Sequence, residues 1–178
     1  MNKKTRIALS AFTEKDFDQL ISWVEDEMIL MQFAGPRFYF PLSYDQLNLF
    51  IQDKKRKVFR IEYIETSEMI GIGEIYWNKQ TAKFSRIFIG KEKWRNQGLG
   101  QEIIKEMLQM VFENPKMESA ELNVYDWNKS AIQCYLNAGF EIDPTIMKTV
   151  LFKDKKWLLL NMKIKKKCWH NIYNINRK

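Results

Sequence analysis

The chain has 178 residues and a net charge of +7, and its composition is 46% hydrophobic, 14% aromatic and 29% charged. This length allows one domain with a sizeable core, and these proportions are those of an ordinary globular protein. No apolar run approaches the roughly 20 residues that span a bilayer, which excludes a transmembrane helix.

Cysteine and histidine usage narrows the chemistry. Cys134 and Cys168 lack the spacing of a disulfide framework, and the charged N-terminus is unlike a signal peptide, so we expect a reduced, cytoplasmic protein. The only histidine is His170, which excludes zinc sites built on paired histidines, and we expect no metal site. We expect Cys134 to be a small buried residue rather than a nucleophile.

The first third of the chain predicts a short strand followed by two helices. The strand lies near Thr5, and the first helix begins after the capping residue Thr13 and runs to about Glu25. Residues 29–42 are interrupted by glycine and proline and predict a loop rich in aromatic residues. Ser43 and Gln46 have the spacing of a capping box and predict the second helix.

The remaining elements alternate between strand and helix patterns. Hydrophobic residues with a period of two predict strands at residues 58–65, 69–77, 83–90 and 119–125, and two further strands flank a turn near residue 154. Helical patterns occupy residues 98–113 and 128–139. This mixed order predicts an α/β or α+β fold in which helices lie on the faces of a sheet.

A glycine-rich turn precedes the longest predicted helix. Residues 95–100 read RNQGLG, so Arg95, Gly98 and Gly100 lie between a strand and a helix. A helix start carries unpaired backbone N–H groups and the positive end of the helix dipole. Glycines let a phosphate approach those amides, and Arg95 adds charge, so the turn predicts an anion cradle. It lacks the full pattern of a dinucleotide or nucleoside-triphosphate loop.

A second motif lies in the helix at residues 128–139. Asn128 opens this helix, and Tyr135 lies two turns further along the same face. With Ala131, Gly139 and Phe140 these residues form the pattern N-x-x-A-x-x-x-Y-x-x-x-G-F. Taken with the glycine turn, this pattern resembles the GNAT superfamily of acetyl-CoA-dependent N-acetyltransferases over roughly residues 5 to 164. The resemblance favours the branch of ribosomal-protein N-terminal and aminoglycoside N-acetyltransferases.

The resemblance implies roles for particular positions. The central sheet would be mixed and mostly antiparallel, with helices on both faces, and it would be splayed at the cofactor site. There, backbone groups of Ile87, Phe88 and Ile89 would pair with the pantetheine arm of acetyl-CoA, which is a co-substrate. The amine would attack the thioester directly in a ternary complex. Tyr135 would protonate the leaving thiolate, and Asn128 would contact the pantetheine region. The diphosphate would rest beside Arg95 on the backbone of five consecutive residues: Gln97, Gly98, Leu99, Gly100 and Gln101.

The general base is not assigned by the resemblance. This chain has Asn123 where some members carry a glutamate, and Arg86 lies in the strand where others carry a carboxylate. Glu74 is the candidate from the sequence itself, because its strand neighbours the cofactor strand and an acid among apolar residues tends to have a raised pKa. The alternatives are that Glu74 faces solvent and that a water chain takes the proton. If Arg86 points into the site, it favours an acidic acceptor over a polycation.

The C-terminal residues suggest a basic tail. We expect a single acetyltransferase domain over residues 1–164 and a tail at 165–178 that is either a solvated end or a contact for RNA. The acceptor would be a small amine or a peptide N-terminus, with no membrane partner, no nucleic acid outside the tail, and a monomeric or homodimeric protein. The alternative is a non-catalytic binding module that contacts RNA or protein through this tail.

Overall fold

A computed structural model describes residues 5–173 and contains a seven-stranded mixed sheet and six α-helices within that range. The strands are β1 (Ile7–Ala11), β2 (Arg56–Tyr63), β3 (Glu68–Asn78), β4 (Thr81–Ile89), β5 (Ser119–Tyr125), β6 (Glu141–Phe152) and β7 (Lys155–Lys165). The helices are α1 (Phe17–Trp23), α2 (Glu27–Ala34), α3 (Tyr44–Ile51), α4 (Leu99–Phe112), α5 (Lys129–Asn137) and α6 (Lys166–Tyr173). The strand order β1-β2-β3-β4-β5-β7-β6 confirms the predicted fold class.

The chain divides into two compact units. The first, called the N-terminal unit, comprises residues 5–76 and Ser85–Ile103, and the second, called the C-terminal unit, comprises Trp77–Phe84 and residues 104–173. Strands β3 and β4 and helix α4 each contribute residues to both units. No helix between residues 5 and 173 combines the length and apolar composition needed to cross a bilayer.

The N-terminal unit packs three helices around an aromatic core. Strands β1, β2 and β3 form antiparallel ladders, and the core is built from α1, α2, α3 and their neighbouring strands. Helix α2 replaces part of the loop predicted for residues 29–42, because the Asp26 carboxylate accepts the amide of Ile29 at 2.7 Å and Gly35 ends the helix. That prediction was therefore wrong for residues 29–34.

The capping box predicted at Ser43 is only half formed. Ser43 accepts the amide of Gln46, but the side chain of Gln46 is buried and turns to the preceding loop. Its oxygen accepts the amide of Tyr39 at 2.9 Å, and its nitrogen donates to the carbonyl oxygens of Tyr39 and Pro41, each at 3.0 Å. Three hydrogen bonds therefore hold the loop between α2 and α3 in place.

The C-terminal unit joins β5, β6 and β7 in antiparallel ladders and pairs residues Thr81–Phe84 of β4 in parallel with Ser119–Leu122 of β5. Its C-terminal residues differ from the expected solvated tail. Residues Lys166–Tyr173 form α6, whose Trp169 ring lies 5.4 Å from that of Phe112, while Lys166 donates to the carbonyl of Asn114 at 3.1 Å. Residues 174–178 lie outside the described residues.

Replacing Trp169 with alanine should lower the free energy of unfolding by about 1–3 kcal/mol, because a half-buried aromatic contact with α4 is lost. Urea unfolding followed by circular dichroism measures the change. Lys167→Ala, at an exposed position of the same helix, is the control. Equal stability of the two variants would show that α6 is a solvated end after all.

Candidate functional site

The predicted anion cradle forms a turn with two left-handed residues. Asn96 has a φ of 57° and Gly98 a φ of 79°, and the turn from Arg95 to Gly98 is exposed. Glycine is required at position 98 by this backbone conformation rather than by a close neighbour, since an added Cβ would meet only Arg6, at an ordinary contact distance of 3.8 Å. Alternating backbone conformations of this kind bring successive amides to one side, which suits an anion.

The start of α4 supplies further amides. Its first amide bonded to the preceding turn is that of Gln101, which donates to the carbonyl of Gly98 at 3.1 Å. The amides of Leu99 and Gly100 precede this ladder and carry the positive end of the helix dipole. The buried Leu99 side chain anchors the turn.

Arg6 is a site residue that the sequence analysis missed. Its guanidinium donates to Glu102 through Nε at 2.9 Å and Nη2 at 2.6 Å, and to the carbonyl of Gln97 at 2.8 Å. The Arg6 amide also donates to Glu102 at 2.9 Å. Arg6 therefore ties the glycine turn to the first turn of α4 and neutralises a carboxylate that would repel an anion there. The two residues are 96 positions apart, so local spacing carries no signal of this pair.

Arg95 makes contacts that the sequence analysis did not foresee. Its guanidinium donates to the carbonyl of Ile89 at 3.1 Å and to that of Gly90 at 2.7 Å, and lies 5.8 Å from the centre of the Phe88 ring. Arg95 thus holds the end of β4, and its predicted contact with a phosphate stays a prediction.

The end of β4 is set apart by a residue with left-handed backbone and by aromatic packing. Arg86 has a φ of 50°, which marks an irregularity directly before Ile87. The Phe88 ring stacks on Phe33 at 4.8 Å and meets Trp23 edge-on at 6.3 Å. The three residues predicted to bind the pantetheine arm, Ile87, Phe88 and Ile89, are half-buried.

Glu74 does not have the surroundings expected of a general base. Its side chain is 1% exposed, so it does not face solvent, but it lies in an ion-pair cluster rather than among apolar residues. Arg56 donates to Oε1 at 2.6 Å, and Arg86 donates to both carboxylate oxygens. Two guanidinium groups therefore hold both oxygens of this carboxylate, and the apolar surroundings expected from the sequence are not those of Glu74. Its role as the general base stays a prediction.

The second motif lies in the C-terminal unit. Asn128 caps α5 by accepting the amide of Ala131 and the hydroxyl of Ser130, each at 3.2 Å. The half-buried Tyr135 ring lies 6.2 Å from the Phe140 ring. Burial raises the pKa of the Tyr135 phenol above its ordinary value, and the neighbouring Cys134 makes a smaller contribution in the same direction. Burial also raises the pKa of Cys134 to about 11, so this thiol is a poor nucleophile.

The predicted residues therefore fall into two groups. Glu74, the strand segment Ile87–Ile89 and residues 95–101 belong to the N-terminal unit, and Asn128 and Tyr135 belong to the C-terminal unit. Among residues 5–173, no three His, Cys, Asp or Glu side chains come together in a group that could hold a metal ion.

Comparison with known proteins agrees with these features. The model of the acetyltransferase (GNAT) domain matches residues 6–141. An aminoglycoside N(6')-acetyltransferase type 1 of Klebsiella pneumoniae is 22% identical over 160 residues, covering 82% of this chain and 79% of the relative. The crystal structure of a spermidine N-acetyltransferase from Vibrio cholerae in complex with CoA and spermine has a TM-score of 0.78 at 18% identity, covering 93% and 99% of the two chains. The structure of AAC(6')-Ib with paromomycin and acetyl-CoA has a TM-score of 0.74 at 17% identity, covering 94% and 97%.

The family model spans more than half of the chain and includes both the glycine turn and the Asn128–Tyr135 motif. The match is consistent with the element order and the backbone geometry described above. The chain belongs to the acetyltransferase (GNAT) domain family.

Proposed function

We propose that the acceptor of this enzyme is a small primary amine, which attacks the thioester directly in a ternary complex. The reaction class and the donor follow from the family: the chain is an acetyl-CoA-dependent N-acetyltransferase. The observation that carries the proposal is the exposed glycine turn at the start of α4, inside the family match. The relatives are named for spermidine and for aminoglycosides, which are small amines and support this acceptor size.

The diphosphate of acetyl-CoA would bind at the glycine turn. The backbone from Gln97 to Gln101 is exposed or lies at the helix start, where the amides that precede Gln101 and the helix dipole favour a phosphate. Arg95 would have to leave the carbonyls of Ile89 and Gly90 to reach it. Its release would also free the Ile89 carbonyl for the pantetheine amide, so the two binding events would be coupled.

The reacting groups are assigned by the same proposal. Backbone groups of Ile87, Phe88 and Ile89 would bind the pantetheine arm, and an N–H on this strand would stabilise the oxyanion. Asn128 would bind the pantetheine region through the part of its amide that does not cap α5. Tyr135 would donate a proton to the departing thiolate, and its raised pKa keeps the phenol in the protonated form that this role needs.

The proton of the attacking amine would leave through water rather than to Glu74. Both oxygens of Glu74 are held by guanidinium groups, and the side chain is buried. We further propose that the enzyme acts in the cytoplasm, where its free thiols Cys134 and Cys168 would stay reduced, and that it is a monomer or a homodimer.

Titration calorimetry with acetyl-CoA should show saturable binding, and a panel of amino acids, polyamines, aminoglycosides and peptides should release the CoA thiol with at least one amine. Gly98→Val should abolish measurable binding, because a β-branched residue is strained at a φ of 79° and its side chain would cover the amides. The binding-module alternative would be favoured if no amine of the panel released the CoA thiol and the protein bound nucleic acid with an affinity that falls as salt is added.

Arg6→Ala should weaken acetyl-CoA binding about tenfold, because Glu102 then loses the guanidinium that offsets its charge at the helix start. Calorimetry gives the dissociation constant. The double variant Arg6→Ala with Glu102→Gln should recover most of the affinity, since it removes the repelling charge as well. If the folded Arg6→Ala protein binds acetyl-CoA with an unchanged dissociation constant, this turn is excluded as the binding site of the diphosphate.

Tyr135→Phe should lower kcat by about 10²-fold or more, with little change in the KM for acetyl-CoA, because the proton donor is lost while the ring remains. Tyr173→Phe is a matched control, since Tyr173 is a half-buried phenol of the same unit. The raised pKa predicts that wild-type kcat holds up to about pH 10, the ordinary pKa of a phenol. Wild-type turnover in the Tyr135→Phe enzyme would exclude the acid role.

A further inference from the structure

Three guanidinium groups gather around one aromatic ring in the N-terminal unit. The Cζ atoms of Arg37, Arg56 and Arg86 lie 5.7, 5.6 and 5.2 Å from the centre of the Phe50 ring. They come from three separate segments: the turn after α2, the start of β2 and strand β4. We call these three residues, with Glu74 and Asp53, the arginine cluster.

The two inner arginines already have counterions. Arg56 and Arg86 are only 10% and 12% exposed, and both donate to Glu74. Arg56 also donates to Asp53 Oδ2 at 2.7 Å. Their hydrogen-bonding capacity is therefore largely used within the protein.

Arg37 is different, because its nearest carboxylate is too far away for a hydrogen bond. Its Nη2 lies 3.9 Å from Asp53 Oδ2, the same oxygen that Arg56 holds at 2.7 Å. Three arginines against two carboxylates leave the cluster with a net charge of +1. The Arg37 side chain is 39% exposed, so an incoming anion can reach it.

The electrostatics agree with this geometry. Burial lowers the pKa of Arg37 from its ordinary value, and the neighbouring Arg56 and Arg86 lower it further, against smaller opposing effects of Glu74 and Asp53. A cation that its surroundings disfavour in this way is stabilised by an added negative charge. A planar guanidinium binds a carboxylate or phosphate through two parallel hydrogen bonds.

The cluster borders the strand segment to which the proposed function assigns the thioester. Arg86 directly precedes Ile87, and the loop that carries Arg37 is held by the three hydrogen bonds of Gln46. The aromatic side chains Tyr39 and Phe40 on that loop are 71% and 43% exposed. A loop that carries both a cationic group and exposed aromatic rings is suited to recognise an organic anion.

We propose that Arg37 binds the carboxylate of the acceptor, so that the preferred substrate is an amine that also carries an acidic group, such as an amino acid or a peptide. This inference rests on the proposed function. It separates the chain from its polyamine- and aminoglycoside-acetylating relatives, because polycations would be repelled by a cluster with a net positive charge.

Matched acceptors that differ only in a carboxylate test the proposal. Thiol release at saturating acetyl-CoA should give lysine a kcat/KM at least about tenfold above that of cadaverine, which is lysine without its carboxylate. Arg37→Gln should bring this ratio close to one by lowering only the value for lysine. Lys54→Gln, which removes an exposed charge next to Asp53, should leave the ratio as in the wild type.

Each other outcome overturns the proposal. A wild-type ratio near one, a preference for cadaverine, spermidine or an aminoglycoside, or an unchanged ratio in Arg37→Gln would exclude carboxylate recognition while leaving acetyl transfer established. If none of the tested amines causes release of the CoA thiol, the proposed function itself is refuted. The anion that Arg37 binds could instead be a phosphate of the donor, and calorimetry with acetyl-CoA and acetyl-dephospho-CoA tests this. If Arg37→Gln weakens the binding of acetyl-CoA but not of acetyl-dephospho-CoA, Arg37 binds the donor's phosphate, and the proposal is wrong.

Discussion

The proposed donor site depends on keeping the positive end of α4 open to an anion. Glu102 lies in the first turn of this helix, where a carboxylate stabilises the helix but would compete with a phosphate for the same field. Arg6 removes this conflict by pairing with Glu102 and with the carbonyl of Gln97 at once. The positive end of the helix dipole can therefore act on an anion at the exposed turn. The same contacts connect the segment before β1 to the helix at which the donor is proposed to bind.

A similar balance of charge recurs at Glu74. A carboxylate that is 1% exposed needs counterions, and Arg56 and Arg86 supply them. Because both arginines are largely committed to that pair, the third guanidinium of the cluster, Arg37, is the one left with a distant partner. The buried ion pairs of Glu74 thus occupy two arginines of the cluster and leave Arg37 for the proposed contact with the acceptor.

The two motifs have different relations to the rest of the molecule. The glycine turn is exposed and is ordered by backbone conformation, whereas Tyr135 is half-buried and is ordered by packing on Phe140. If the turn binds acetyl-CoA as proposed, it must be reachable by a large cofactor. If Tyr135 is the proton donor as proposed, its phenol must stay protonated, and burial raises the pKa of this phenol.

Local signals in the sequence were sufficient for most of the fold and for both motifs. Strand periodicity, Asn128 as a helix cap and the glycine turn at 95–100 depend on neighbours within a few residues, so they can be recognised without coordinates. The helix α2 was missed because its cap, Asp26, lies outside the aromatic run, and α6 because its charge concealed the Trp169 contact. The partners of Glu74, the Arg6–Glu102 pair and the position of Arg37 were decided only by the tertiary structure, since each joins residues that are between 12 and 96 positions apart or lie on separate segments. Ion pairs of this kind arise from how strands and loops are brought together in space, and no periodicity along the chain records them.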